Sequence, residues 1–249
     1  MEGAEPFSAA GGGAGVLVLH GFTGNPFSMR ALAETLAEAG LTVELPLLPG
    51  HGTAVQDMIE TRWSDWSGAA EAAYLDLAGR CESVAVVGLS MGGTLSCRLA
   101  ERHQEISGIA VINPLVEPAT DDLVTAVQSL LDSGTAVMDG IGSDIAIPGA
   151  SELSYAGTPV APLLSLFEGV RGVSADLSLI RCPVLLLSSR DDHVVPPSNG
   201  DLLVASVSGP CERVWLERSF HVATLDYDRE EIERRTVTFV GRVTAAPVP

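Results

Sequence analysis

The chain has 249 residues, of which 46% are hydrophobic and 18% charged, so it suits one sizeable folded domain and is not a disordered chain. Its formal net charge is −18, with 32 acidic residues against 14 arginines and no lysine. A chain this acidic would be repelled by phosphate backbones, which excludes nucleic acid as an expected partner.

Nothing in the sequence indicates export, a membrane span or a metal site. The acidic first five residues lack the basic start of a signal peptide, and no apolar run reaches the ~20 residues that a span needs. The four cysteines (Cys81, Cys97, Cys182 and Cys211) have no metal-ligand spacing and are interpreted as small buried hydrophobic residues. We therefore expect a soluble protein of the reducing cytoplasm.

Short apolar runs alternate with helical patterns along most of the chain. In chain order, the predicted elements are strand Val16–His20, helix Pro26–Ala39, strand Thr42–Leu48, helix Trp63–Ala78, strand Val84–Leu89, helix Met91–His103, strand Ile109–Ile112, strand Val184–Ser188, helix Pro197–Val207, strand Arg213–Glu217 and helix Arg229–Val243. Repeated strand–helix units predict an α/β fold, in which helices cover both faces of a mainly parallel central sheet.

The alternation stops between Ile112 and Val184. Residues from about Val116 to Asp176 contain several glycines and prolines and only short apolar runs. We interpret this stretch as an insertion between two strands. The predicted organisation is a core of residues 1–115 and 177–249 with an inserted segment at 116–176.

Ser90 is the candidate nucleophile. It lies in the G-x-S-x-G run at 88–92 (GLSMG), directly between a predicted strand and a predicted helix. Such a serine sits on a sharp, strained turn that lifts its hydroxyl above the sheet, and the flanking glycines let the helix approach the neighbouring strands. The helix N-terminus adds backbone N–H groups near the reacting carbonyl.

A glycine-bearing loop follows the first predicted strand, at 20–24 (HGFTG). Such a loop can point one backbone N–H at a developing oxyanion, and the second donor is usually the N–H of the residue after the nucleophile. We assign the oxyanion hole to Phe22 and Met91.

The base and its carboxylate are expected after Ser90 in the chain. His221 follows the last predicted strand and is the candidate base, whereas His193 is too close to the acidic pair to reach back to it. Asp191 and Asp192 compete as the acid, and the D-x-x-V-P register favours Asp192. We interpret His51 and His103 as structural or surface residues.

Six sequence runs together resemble the bacterial monoacylglycerol lipases and carboxylesterases of the α/β-hydrolase superfamily. They are HGFTGNP at 20–26, PGHG at 49–52, GLSMGG at 88–93, GIGSDI at 140–145, SRDDHVVPPSNG at 189–200 and HVATLD at 221–226. The resemblance covers roughly residues 15 to 240. It implies an α/β-hydrolase fold, a triad of Ser90, Asp192 and His221, and no metal or organic cofactor.

The resemblance also implies that the 116–176 segment is a cap over the active site, with an acyl tunnel and a polar pocket for glycerol. Ile141 matches a cap residue that contacts substrate, and Glu152 matches a glutamate that binds the glycerol hydroxyls. The expected function is hydrolysis of monoacylglycerols to glycerol and fatty acid. The apolar cap residues predict transient contact with lipid surfaces.

Three alternatives stay open at this point. A general carboxylesterase for short to medium acyl esters would use the same groups, and so would a thioesterase or acyltransferase. A non-catalytic ligand receptor on this fold would not need the complete triad that the sequence predicts. The sequence does not indicate the oligomeric state.

Overall fold

Seven strands form the central sheet of the computed structural model, which describes residues 1–140 and 142–245. The strands are β1 (Phe7–Ala9), β2 (Ala14–Leu19), β3 (Thr42–Leu45), β4 (Ser83–Leu89), β5 (Gly108–Ile112), β8 (Val184–Ser189) and β9 (Cys211–Leu216). Their order is β1-β3-β2-β4-β5-β8-β9, and every neighbouring pair is parallel except β1 and β3. A separate antiparallel pair joins β6 (Val137–Asp139) to β7 (Gly157–Pro159).

Helices cover both faces of this sheet. They are α1 (Arg30–Glu38), α2 (Val55–Ile59), α3 (Trp63–Ala78), α4 (Met91–Arg102), α5 (Asp121–Asp132), α6 (Val160–Asp176), α7 (Ser198–Ser206) and α8 (Arg229–Thr244). One apolar core lies between the sheet and α3, α4 and α6, and a second lies between the opposite face and α1 and α8. The predicted α/β fold with a mainly parallel, doubly covered sheet is confirmed. Within the described ranges, no helix is both long and apolar enough to cross a membrane.

Two predicted elements are shorter than expected. β3 ends at Leu45 and not at Leu48, because Pro46 has no N–H to donate to a neighbouring strand. The helix predicted over 26–39 begins as a 3₁₀ turn at Pro26–Met29 and becomes α-helical only at Arg30. The short elements β1 and α2 were not predicted.

The 116–176 segment, in which the sequence analysis placed no element, contains two helices, α5 and α6. Pro162 and Gly169 mask the helical pattern of α6 in the sequence. Pro162 lies in the first turn, where a missing N–H costs little. A Cβ on Gly169 would come within 2.2 Å of the Trp63 ring, so glycine lets α6 lie directly against α3.

The parallel strands all end at one edge of the sheet. Because β2, β4, β5, β8 and β9 run in the same direction, the loops that follow them meet at their carboxyl ends. These loops carry Phe22, Ser90, Asn113, Asp192 and His221 respectively. The topology therefore brings together residues that are up to about two hundred positions apart in the sequence.

Candidate active site

Ser90 lies on a strained turn between β4 and α4. Its φ of 55° and ψ of −118° are unusual for a residue with a side chain. Two glycines permit the turn: a Cβ on Gly88 would come within 2.1 Å of the Gly92 carbonyl oxygen, and a Cβ on Gly92 within 2.1 Å of the Leu19 carbonyl oxygen. The turn directs the Ser90 side chain into a cavity at the sheet edge.

The loop after β2 lies beside this turn. A Cβ on Gly21 would lie 3.5 Å from the Ser90 Cβ, which puts the next peptide N–H, that of Phe22, close to the serine. Met91 is the first residue of α4, where backbone N–H groups have no partner within the helix. Within the described residues, neither the Phe22 nor the Met91 N–H donates a hydrogen bond to another residue.

His20 holds the peptide that carries the Phe22 N–H. The Leu48 N–H donates to Nε2 of His20 over 3.2 Å, so the ring proton is on Nδ1, which donates to the Gly21 carbonyl over 3.0 Å. In a trans peptide the carbonyl and the following N–H point in opposite directions, so this bond aims the Phe22 N–H away from His20.

His20 remains a neutral ring at this position. Burial, with a smaller contribution from the neighbouring His51, lowers the pKa of His20 to about 3. His51 is itself 1% exposed and packs edge-on against His20 and Trp66, with its pKa lowered to about 4 by burial. Both histidines are structural groups beneath the loop.

His221 and Asp192 form a buried imidazole–carboxylate pair. Nδ1 of His221 lies 2.8 Å from Oδ2 of Asp192, and the two side chains are 9% and 1% exposed. The other Asp192 oxygen accepts the N–H groups of Val194 and Val195 over 2.9 and 2.7 Å. Asp191 is exposed on the same loop, so the structure joins Asp192 to His221.

Ser90 and His221 line the same cavity, but within the described residues the Ser90 hydroxyl makes no hydrogen bond to the imidazole. Catalytic hydrogen bonds of this kind are often long before substrate binds and tighten in the complex. The two groups therefore share the site without forming the bond that proton transfer uses.

Asn113 is a site residue that the sequence analysis missed. Its backbone has a φ of 44°, and its side chain is buried. Nδ2 donates to the His221 carbonyl over 2.8 Å and to Oγ of Ser189 over 3.0 Å, and Oδ1 accepts the Ser189 N–H over 2.7 Å. Asn113 thus fastens the ends of β5 and β8 to the His221 loop. Its only sequence signal is the Asn-Pro pair that closes β5.

The cavity has a volume of about 510 Å³. Residues of the 116–176 segment form much of its wall: Glu117, Pro118, Ala119, Thr120, Leu123, Gly142, Glu152, Leu163, Leu166, Phe167 and Val170. The remaining wall comes from the loops after the strands and from the start of α7, and it includes Phe22, Ser90, Val194, Val195, Asn199 and His221. A mostly apolar cavity with a few convergent polar groups suits a ligand with a long apolar part.

Glu152 is the carboxylate of this cavity that lies nearest the Phe22 loop. A Cβ on Gly24 would come within 2.7 Å of its Oε1, and its N–H donates to Oγ of Ser143 over 2.8 Å. Burial raises the pKa of Glu152 above its ordinary value, although the nearby His221 offsets part of this rise. Ile141, the other residue predicted to contact substrate, lies outside the described residues.

These groups are the ones that acyl transfer requires. They comprise a serine hydroxyl, an imidazole held by a carboxylate, and two N–H donors beside an apolar cavity. Over residues 1–140 and 142–245, no three His, Cys, Asp or Glu side chains are arranged to hold a metal ion.

Known proteins resemble the whole chain. It is 45% identical over 246 residues to a thermostable monoacylglycerol lipase from Bacillus sp. (strain H-257), covering 97% of this chain and 96% of the relative. It is 27% identical to a carboxylesterase from Bacillus subtilis (strain 168), covering 96% and 97% of the two chains. A solved structure from work on the metagenome-derived lipolytic enzymes LipS and LipT matches with a TM-score of 0.93 and 41% identity, covering 97% and 99% of the two chains.

The model of the alpha/beta hydrolase family matches residues 16–234. The fold and the strand–turn–helix around Ser90 agree with that match. The resemblance predicted from the sequence runs is confirmed, and this chain belongs to the alpha/beta hydrolase family.

Proposed function

We propose that this protein hydrolyses monoacylglycerols to glycerol and fatty acid. The observation that carries the proposal is a carboxylate, Glu152, in an otherwise mainly apolar cavity that also contains Ser90 and His221. An apolar wall suits an acyl chain, and a carboxylate can accept hydrogen bonds from two vicinal hydroxyls. The relative that is 45% identical is named as a monoacylglycerol lipase, which supports the same substrate class.

In the proposed mechanism, Oγ of Ser90 attacks the ester carbonyl while Nε2 of His221 takes the hydroxyl proton. The N–H groups of Phe22 and Met91 stabilise the oxyanion. Collapse of this intermediate breaks the ester bond, and His221 returns the proton to the departing glycerol oxygen. A water then gives a proton to His221 as its oxygen attacks the acyl carbonyl. The bond between the acyl carbon and Oγ of Ser90 breaks, His221 returns the proton to that Oγ, and the fatty acid leaves. Asp192 stays ionised and holds the imidazole throughout.

We also propose that the 116–176 segment is a cap on a core of residues 1–115 and 177–249. Its helices α5 and α6 both contribute side chains to the cavity wall, including Leu123, Leu163 and Phe167. A cap of this kind would shelter the acyl chain from water, with Glu152 at its polar end and Ile141 as a further substrate contact.

The general carboxylesterase is the second candidate, and the relative from Bacillus subtilis favours it. A thioesterase or acyltransferase would share the chemistry of Ser90, Asp192 and His221. A monoacylglycerol lipase differs from these candidates because it recognises the free glycerol hydroxyls. In the proposed site Glu152 is the residue that would bind them.

We propose the cytoplasm as the site of action. Among the described residues Cys81, Cys97, Cys182 and Cys211 are free thiols, which fits a reducing compartment.

Ser90→Ala should abolish ester hydrolysis, with kcat lower by roughly a millionfold, because the variant lacks the hydroxyl that forms the acyl-enzyme. Hydrolysis of a monoacylglycerol is measured by release of free fatty acid, and the thermal midpoint is followed to confirm folding. Activity equal to that of the unsubstituted protein would overturn the serine-hydrolase mechanism.

Asp192→Asn should lower kcat by about 10⁴-fold, because the amide no longer stabilises the imidazolium or fixes the imidazole tautomer. Asp191→Asn is the matched control, since it removes the same charge from the neighbouring exposed position. Steady-state kinetics on one ester compare the two variants. A larger loss in Asp191→Asn than in Asp192→Asn would reverse the assignment of the acid.

Glu152→Gln should lower kcat/KM for a monoacylglycerol by about tenfold relative to the methyl ester of the same acid, because hydrogen bonds to a charged acceptor are stronger than those to an amide. Glu117→Gln, which changes another carboxylate of the cavity wall, is the control and should leave the ratio unchanged. An unchanged ratio in Glu152→Gln would favour the general carboxylesterase.

We propose that α5 makes transient contact with lipid surfaces. It exposes Leu123 and Leu130 while burying only Val127, and Leu123 also lines the cavity. Leu130→Ser should lower the partition coefficient onto phosphatidylcholine vesicles, measured by sedimentation, by at least about tenfold, since burying a leucine contributes about 1.5–3 kcal/mol. Leu75→Ser, at an exposed leucine of α3, should have no such effect. If the unsubstituted protein does not sediment with vesicles, the proposal is wrong.

A further inference from the structure

We propose that Asp144 is a positioning residue for both the catalytic acid and the catalytic base. The inference rests on the proposed roles of Asp192 and His221. Asp144 belongs to the 116–176 segment, yet its carboxylate lies between the two loops that carry this pair, and its side chain is 14% exposed.

The Asp144 carboxylate accepts three hydrogen bonds. Oδ2 accepts the backbone N–H of His221 over 3.0 Å and the backbone N–H of His193, the neighbour of Asp192, over 3.1 Å. Oδ1 lies 2.8 Å from Nδ1 of His193. One carboxylate oxygen therefore joins the loop of the acid to the loop of the base through their main chains.

The backbone of Asp144 adds a fourth connection, because its carbonyl accepts the Val222 N–H over 3.0 Å. The two backbone N–H groups that flank the His221 side chain, those of His221 and Val222, are thus bonded to one residue from another part of the chain. Hydrogen bonds to an ionised carboxylate are stronger than those to a neutral acceptor. Asp144 therefore adds main-chain bonds between the two loops to the single side-chain bond from His221 to Asp192.

Asp226 prevents Asp144 and its neighbours from moving independently of the His221 loop. Its carboxylate accepts the N–H groups of Ala146 and Ile147 on one side and of Phe220 and Tyr227 on the other. The stretch 144–147 is thus fastened to the His221 loop at two points. The backbone around Asp144 is therefore held in place, and a group that positions a catalytic side chain needs such a rigid environment.

A positioning role differs from a merely structural one in what it changes. Asp144 is absent from the cavity wall, so its loss should not alter ester binding directly. Loss of the contacts to His193 and His221 should displace the imidazole from its position beside Asp192. A misplacement of about 1 Å can cost on the order of 100-fold in rate.

The test compares Asp144→Ala with Asp132→Ala, which removes the same charge from the exposed end of α5. For Asp144→Ala we expect kcat to fall by about 10- to 100-fold with KM within about threefold. Asp132→Ala should match the unsubstituted protein. Equal kcat in the two variants, or a loss confined to KM, would overturn the positioning role.

Asp144→Asn is the conservative variant. Its carbonyl oxygen can still accept the N–H groups of His193 and His221, and its amide can donate to Nδ1 of His193 once that ring carries its proton on Nε2. We expect Asp144→Asn to retain most of kcat. If Asp144→Ala does not fold, Asp144→Ser, whose hydroxyl is too short to reach both N–H groups, takes its place with the same expectation.

Proton NMR can distinguish a displaced imidazole from a general loss of stability, because it detects the hydrogen bond between His221 and Asp192 in the folded protein. The Nδ1 proton of His221, shared with Asp192, should give a low-field resonance in the folded protein and in Asp144→Asn. It should broaden or disappear in Asp144→Ala at a temperature where that variant is folded. An unchanged resonance in Asp144→Ala would contradict the inference.

Ser90→Ala is assayed in parallel. It distinguishes a failure of the positioning role of Asp144 from a failure of the proposed hydrolase function. If Ser90→Ala is inactive and Asp144→Ala is fully active, only the role of Asp144 is wrong. If Ser90→Ala is active, the proposed function itself is wrong.

Discussion

The strained backbone at Ser90 is the constraint on which the rest of the site depends. A residue with a φ of 55° and a ψ of −118° costs about 1–3 kcal/mol, so the surrounding structure must hold it. The packing of α4 against β2 and β4 does so, because Gly88 and Gly92 bring backbone atoms into contact where any side chain would collide. The serine is therefore fixed to the centre of the sheet, and every other functional group must be brought to it by a loop.

Hydrogen bonds from side chains to the main chain hold these loops. Irregular backbone at a partly buried edge has N–H and C=O groups that need partners. His20 satisfies the Gly21 carbonyl, Asn113 the His221 carbonyl, and Asp192 the N–H groups that follow it. Each of these bonds also fixes the position of a group in the candidate site. The same hydrogen bonds therefore satisfy the polar groups of the loop backbone and position the proposed catalytic groups.

Much of this organisation could be predicted from local sequence patterns. Strands β4 and β5 are continuous apolar runs, so their bounds could be predicted within a residue or two. The G-x-S-x-G run predicted the turn between β4 and α4. The helix α6 was missed because its proline and glycines resemble a loop until the contact with Trp63 is known. The bond from Asp144 to His221 joins residues 77 positions apart, and no local pattern encodes it. The sequence register could favour Asp192 over Asp191, but only the described contacts of its carboxylate show how it meets His221.

The central claim is that the turn between β4 and α4 makes Ser90 a nucleophile. Covalent trapping of the acyl-enzyme is its most direct test. The protein is mixed rapidly with an activated ester and the reaction is quenched in acid. The masses of the intact chain and of its proteolytic peptides are then measured by mass spectrometry. If Ser90 is the nucleophile, we expect a burst of one equivalent of leaving group per chain and one acyl group on the peptide that contains Ser90. Ester hydrolysis with the acyl group on another residue, or with no burst and no adduct, would contradict it.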